Sequence, residues 1–487
     1  MKWAAVFFLG LLLAGCLPAA TISTPLPATR VTDPTIDDGT LLPSVSPTLP
    51  EVTAQPEIKK NTHYQISATL DDSLRNLQVQ EQISLINPTG TTLAEIPLVV
   101  EANRYAGAFK LISITSDVGQ TVTVQGLEEN ILTLAIQPPL ATDGRMTVTL
   151  EYTLRLPPIL PDKPQILGYT HRQINLADWY PFLPYYSPTG TWLVHPPAAV
   201  GENTVYPLSD FDLDLRLPDL NPALVVAASA PAEPIPQGYR YHLESARNFV
   251  WSASQQYRMS TQQAGAVTVT SYAFPATELA SRAALDYTVQ AVNYFSKQFN
   301  IEPRSSLSIV QSDFPDGMEF DGLYFLSERF YYGFDGSPRS YLALIAVHET
   351  AHQWWYARVG SDQAQDPWLD EALCTYSELL FYENLNPELA KWWWGFRVDS
   401  YAPADSLDAT IYDFSQFLPY RNRIYLRGAQ MLDALHTAMG DIDFFNALQA
   451  YAMHFNGKVA TRQDFFDSFQ SATKVDLLPV WPQYFSR

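Results

Sequence analysis

Ala346-Val347-His348-Glu349-Thr350-Ala351-His352-Gln353-Trp354-Trp355 is the stretch around which this chain is organised. A helix with about 3.6 residues per turn puts positions four apart on one face. His348 and His352 can therefore present two imidazoles to one Zn²⁺, with Glu349 beside the same ion. A pattern this short arises by chance in roughly one chain in fifty to a hundred of this length. The next thirty or so residues make chance a poor account. Glu371 comes after His352 with eighteen residues between them, inside Asp366-Pro367-Trp368-Leu369-Asp370-Glu371-Ala372-Leu373-Cys374-Thr375-Tyr376-Ser377-Glu378. Pro367 favours a helix start, and Asp370 and Glu371 are acids at its first turn, where the helix dipole favours them. A carboxylate there can fold back onto the first helix and complete a His348, His352, Glu371 metal triad that leaves one position open.

This spacing, with Asp370-Glu371 before a small residue and Thr375-Tyr376-Ser377-Glu378 after it, resembles the aminopeptidase N family. That is the gluzincin group of zinc metallopeptidases that also contains leukotriene hydrolase. The resemblance is strongest from about Gln311 to Leu432. It implies an α+β multidomain chain: an N-terminal all-β saddle domain, here 58–260, followed by a thermolysin-like α/β zinc metallopeptidase domain, here 261–487. Phe314-Pro315-Asp316-Gly317-Met318-Glu319-Phe320 resembles the family's Gly-Ala-Met-Glu-Asn segment, keeping Gly317, Met318 and Glu319 while Asp316 and Phe320 replace the outer Gly and Asn. The resemblance implies that this strand edge binds the peptide backbone and that Glu319 binds a free α-amine. Arg423-Ile424-Tyr425-Leu426-Arg427-Gly428 resembles the family's Tyr-Glu-Lys-Gly segment, which makes Tyr425 the hydroxyl that stabilises the oxyanion. Better-known members carry an Ala-Arg-Arg-x-Phe-Pro-Cys segment with a nearby Gln or Glu for the amine. This chain has Leu176-Ala177-Asp178-Trp179-Tyr180-Pro181 there, and Gln173 is the nearby candidate. The resemblance stops with the chain at Arg487 and reads as a short form without the helical C-terminal domain of larger members.

With 487 residues, 47% hydrophobic and 13% aromatic, two folded units are expected. A net charge of −21 argues against nucleic acid as a partner and favours cationic ligands, free peptide amines among them. Met1-Lys2-Trp3 and then the apolar run Ala4 to Leu13 read as a signal peptide over 1–16. Its end, Leu13-Ala14-Gly15-Cys16, resembles the bacterial lipobox, which implies a lipid anchor at Cys16 held by two acyl chains. Residues 17–57, rich in Pro, Thr and Ser, read as a disordered tether because they offer too little apolar surface to offset ordering entropy. The other cysteine, Cys374, reads as a packed core thiol.

From Thr62 the apolar residues alternate, most clearly at Met146, Val148, Leu150, Tyr152, Leu154 and Leu156 and again from Phe211 to Leu217, which predicts strands. Ala266 to Tyr272 and Leu307 to Val310 read as further strands. Leu285, Val289, Val292, Phe295 and Phe299 fall at helical spacing between them. His171 and His195 read as ordinary histidines, and Trp392-Trp393-Trp394 with Phe396 as core or interface. Thr461-Arg462-Gln463-Asp464 reads as a helix N-cap. The function these features support is an exported, lipid-anchored zinc metallopeptidase, an aminopeptidase acting on peptides with a free N-terminus. A zinc endopeptidase with an open cleft and a non-catalytic surface binding protein keeping the gluzincin fold stand as alternatives. Glu349 would be the base, and a pure binder would have no need of one beside the metal.

Overall fold

The alternation of apolar residues becomes a twisted sheet in the computed structural model, which describes residues 61–486 apart from 72, 74, 118, 161–164 and 219–223. The lipobox-like Cys16, the signal-peptide stretch and the proline-rich residues 17–57 lie outside the described residues. Four strands form the centre of a seven-stranded sheet: β1 (Thr62–Asp71), β2 (Asn76–Ile86), β3 (Arg145–Arg155) and β4 (Ser209–Arg216). Their spatial order is β4-β1-β2-β3. The first pair is parallel, with Thr62 opposite Ser209, and the others are antiparallel. Every second residue points into the core, so Tyr64, Ile66, Leu77, Val79, Val148, Leu150, Leu213 and Leu215 are buried together. Full burial of such a side chain is worth about 1.5–3 kcal/mol, so a one-residue slip in register, which would turn each of these faces to water, is strongly disfavoured. Two smaller sheets complete this β-rich part.

At Arg258 the chain begins a mixed sheet. Its strands are β5 (Arg258–Ala264), β6 (Val267–Ala273), β7 (Ser306–Ser312), β8 (Gly317–Phe320) and β9 (Leu323–Ser327), in the spatial order β5-β6-β7-β9-β8. β6, β7 and β9 are parallel to one another, and β8 returns antiparallel along β9 to form the edge. Helix α1 (Glu278–Phe299) connects β6 to β7 and buries Leu285, Val292, Phe295 and Phe299. It ends at Asn300, whose left-handed φ of 54° stops the helix. The sequence reads these elements correctly because each carries a distinct period.

Helix α2 (Tyr341–Ala351) is capped by Ser340, whose hydroxyl accepts from the Ala343 amide at 3.3 Å. From Leu342 to Ala351 every residue is buried, so α2 is a core helix. It packs against α1 and against α3 (Trp368–Leu385), and α3 packs on α4 (Arg427–Met439). Gln353, just past α2, ties the sheet edge to this helix pair. Its amide donates to the Phe320 carbonyl at 3.0 Å, and its carbonyl accepts from the Gly322 amide at 3.0 Å. That clamp fixes β8 alongside α2. Thr461 and Asp464 form the expected reciprocal cap near the C-terminus. Among the described residues no helix is long and apolar enough to cross a membrane.

Candidate active site

His348 lies in the last turn of α2, and His352 sits at its C-cap with helical backbone angles, so their rings meet edge to face at 4.9 Å between centroids. Each imidazole is fixed from behind. The Nδ1 of His348 is 2.8 Å from Glu378 Oε1, and the Nδ1 of His352 is 2.7 Å from Asp370 Oδ1. A proton on each Nδ1 is therefore committed to a carboxylate, and the Nε2 lone pairs are left for a common ligand. Pro367 starts α3 as the sequence predicts, and its first turn brings Glu371 across. Glu371 Oε2 stands 3.2 Å from His348 Nε2 and 3.7 Å from His352 Nε2.

These separations can be tested against a metal. Tetrahedral Zn²⁺ with N and O donors at about 2.0–2.1 Å requires donor–donor edges of about 3.3 Å. The two imidazole nitrogens and one carboxylate oxygen, all buried and all within 4.8 Å of one another, fit that ion and leave its fourth position open. The electrostatics agree. Burial opposes charge on both His348 and Glu371, but their mutual hydrogen bond and the other charged and polar neighbours together outweigh it. His348 is pushed up to about 9, and Glu371, aided by both imidazoles and the Tyr425 hydroxyl, is held below the usual carboxylate range. Glu371 thus carries its negative charge into the metal position.

Glu349 projects into the same space. Its Oε2 is buried and, among the described residues, has no hydrogen-bond partner. Burial pushes its carboxyl well above the usual range; the two imidazoles counter this, while Glu319 and Glu371 add to it. The edge strand β8 passes so close that a Cβ at Gly317 would stand 2.0 Å from Glu349 Oε1 and 2.8 Å from Ile345 Cγ2. Glu319, two residues on, is buried next to Glu349 and His352. The Gln363 amide bridges it to Asp370, at 3.3 Å and 2.6 Å. Met318 is half-buried and lines a cavity together with Glu319.

Tyr425 occupies a π-helical turn (Asn422–Leu426) that runs into α4. Its ring stacks on His348 at 5.8 Å, and its hydroxyl donates to Glu371 Oε1. The structure therefore brings Tyr425 to the candidate metal position, with its hydroxyl engaged by the Glu371 carboxylate. Cys374 is buried one turn past Asp370, 3.8 Å from Asp370 Oδ1, on the Nδ1 side of His352 and away from the Nε2 donors. Trp393 belongs to the core and also serves the site, its indole donating to Glu378 Oε2 at 2.8 Å. Arg397 grips the same carboxylate from Nε and Nη2, at 3.1 and 3.0 Å.

Gln173, the sequence's candidate for a second amine contact, is committed elsewhere. Its amide donates to Asn175 and Tyr257 and its carbonyl accepts from the Asp313 amide, so it holds the sheet together and has no free group to offer. The residue that faces Glu319 is Glu202, which the sequence did not disclose. Both line one cavity of about 170 Å³, with Met318, Phe314, Asp178 and Tyr206. Burial, then the charge of Glu319, pushes Glu202 well above the usual carboxylate range.

The geometry now has known counterparts. Residues 283–484 match the model of the Peptidase family M1 domain. Over that stretch the chain is similar to a peptidase family M1 domain. A stretch of 228 residues is 26% identical to "Aminopeptidase 2, mitochondrial" of Saccharomyces cerevisiae, over 43% of this chain and 24% of that protein. A stretch of 215 residues is 27% identical to "Aminopeptidase N" of Lactobacillus helveticus, over 40% of this chain and 25% of that protein. The matched stretch spans about a quarter of the length of these curated relatives. The M1 zinc metallopeptidase structure from Deinococcus radiodurans superposes with a TM-score of 0.61 at 17% identity, over 85% of this chain and 90% of that one. That likeness extends the shared fold well beyond the matched domain, into the β-rich part.

Proposed function

We propose that this chain is a zinc-dependent aminopeptidase that removes N-terminal residues from peptides. The carrying observation is a pair of carboxyls lining one cavity, half-buried Glu202 and buried Glu319, the latter next to His352 and the metal position. A substrate ammonium placed there neutralises two acids that burial otherwise keeps from ionising, and it fixes the first peptide bond at the metal site. Zn²⁺ held by His348, His352 and Glu371 would supply Lewis acidity, lowering the pKa of water to about 7 and polarising the scissile carbonyl. Glu349, with its unpartnered Oε2, takes the proton of the attacking water and later delivers it to the leaving amine. Tyr425 exchanges Glu371 for the developing oxyanion, a donor contribution of about 3–4 kcal/mol in comparable sites. Gly317 and Met318, on the open edge of β8, align the peptide backbone as an added strand.

The test offers one peptide in two forms, free and N-acetylated, to the zinc-loaded protein and to Glu319→Ala. Loss of a buried charge-assisted contact costs about 2–5 kcal/mol, or roughly 30-fold to several thousand-fold in kcat/KM on the free peptide. The acetylated peptide never made the contact, so its slow cleavage should hardly change. Equal effects on both forms would put an endopeptidase in front, and zinc binding without any turnover would favour the binding protein.

On the same proposal the protein works outside the cytoplasm, anchored by lipid at Cys16. Support comes from the lipobox-like Leu13 to Cys16 and the proline-rich stretch behind it. Cys16→Ser should abolish acylation and alter membrane retention. A mature N-terminus beyond Cys16 with no lipid attached would reject the anchor.

A further inference from the structure

The edge strand and α2 run alongside each other with a defined polarity. Gly317 lies against Ile345 and Glu349, and Glu319 lies against His352. A peptide whose amine sits at Glu319 and whose first carbonyl sits at the metal position must therefore leave toward the N-terminal end of α2. Tyr341 marks that end. It stands seven residues before His348, two turns along the same face and about 10 Å away. An extended peptide advances about 3.3 Å per residue, so its second or third residue past the scissile bond reaches this place.

Two guanidinium groups meet there. Arg397 is neutralised by its two hydrogen bonds to Glu378. Arg421 is not. It precedes Tyr425 by one turn, is only 8% exposed and lies 4.0 Å over the Tyr401 ring. Its Nε and one Nη donate to the neutral Asn422 Oδ1 at 3.3 and 2.8 Å. Among the described residues its other Nη has no hydrogen-bond partner and no carboxylate lies within ion-pair distance. Tyr341 and Tyr401 lie near one another beside it, and both are open to solvent. In a chain of net charge −21, a guanidinium held this deep without an acid is poised for an anion from outside.

We infer that Arg421, with the Tyr341 and Tyr401 hydroxyls, forms a subsite for a peptide carboxylate. It seats the C-terminus of tri- and tetrapeptides whose amine is held at Glu319. This rests on the aminopeptidase reading, and it makes the protein a processor of short peptides.

The experiment compares kcat/KM for Ala-Ala-Ala, its C-terminal amide, and Ala-Ala-Glu amide, with Ala-p-nitroanilide as the substrate that has no second residue. The wild-type protein should favour the free acid over the amide by about tenfold or more, chiefly through KM. In Arg421→Gln that ratio should fall to near one, and Arg421→Lys should recover part of it. The ratio is internal to each preparation, so partial misfolding does not distort it. A wild-type ratio near one, or a ratio unchanged in Arg421→Gln, overturns the subsite. So does a preference for Ala-Ala-Glu amide without one for the free acid, since the carboxylate read would then belong to a side chain. No turnover of Ala-p-nitroanilide by the zinc-loaded protein counts against the aminopeptidase reading itself, and turnover of it with equal acid and amide rates overturns only the subsite.

Discussion

Gly317 and Glu349 compete for one volume: a side chain's first carbon at position 317 would stand 2.0 Å from the Glu349 carboxylate. Gly317 has an ordinary negative φ, so close approach, not backbone freedom, accounts for its glycine. Gly317→Ala should push the carboxylate off its line to the metal position. The expected result is a roughly 100-fold fall in kcat with zinc content unchanged, since the three ligands lie elsewhere. Kinetics beside metal analysis decides it; wild-type kcat would mean Glu349 relaxes at no cost.

The ligands and the base should separate cleanly. His348→Ala or Glu371→Ala removes one of three donors and should lose zinc after dialysis. Glu349→Gln should keep the ion and lose turnover, because the amide accepts no proton. Near-wild-type hydrolysis by the Glu349→Gln protein would eliminate the proposed base.

Asp370 lies outside the His348, His352, Glu371 triad, yet it fixes the His352 tautomer from 2.7 Å. Asp370→Asn can present an amide nitrogen to Nδ1, favouring the tautomer whose Nε2 carries the proton. Zinc affinity should fall about 10- to 100-fold, measured by competition with a chelator. Unchanged affinity would mean that packing alone orients the ring.

How much of this was legible in the sequence depends on the range of each interaction. The grouping of His348, His352 and Glu371 was, because four-residue spacing on one helix and an acid at the first turn of the next are local signals. Glu378 was readable in the same way and went unread: it falls seven residues after Glu371, two turns along the same face of α3. Glu202 carried no such signal. It sits on an irregular loop where Gly201 takes a φ of 76°, and contacts with Ile411 and Tyr420, far along the chain, shape that turn. The strands of the β-rich part were visible as alternation, but alternation tells which face a residue takes and not which strand lies beside it. The parallel pairing of Thr62 with Ser209 is therefore a product of tertiary packing.

That same alternation contains one exception that yields the last prediction. Glu81 takes an inward position on β2, between Ile66 of β1 and Leu150 of β3, and is fully buried. The Tyr152 hydroxyl donates to its Oε2 at 3.0 Å, and among the described residues Oε1 has no partner. Burial pushes its pKa well above the ordinary carboxylate value, and the Tyr152 bond offsets this only in part. The folded state therefore holds a proton that the unfolded chain releases near about pH 4.3. Between that pH and the raised folded value the native state binds more protons, so stability is greatest at the acid end and declines as pH rises. Glu81→Gln cannot ionise and should lose this decline. The measurement is the urea midpoint from about pH 5 to about pH 8 for both proteins, a window that starts above the unfolded carboxylate's own titration. The wild-type midpoint should fall more steeply than that of the variant, whatever constant offset the amide's own unpaired donors add. Parallel slopes would show that Glu81 is ionised in the fold, with its charge solvated by water reaching the sheet interior.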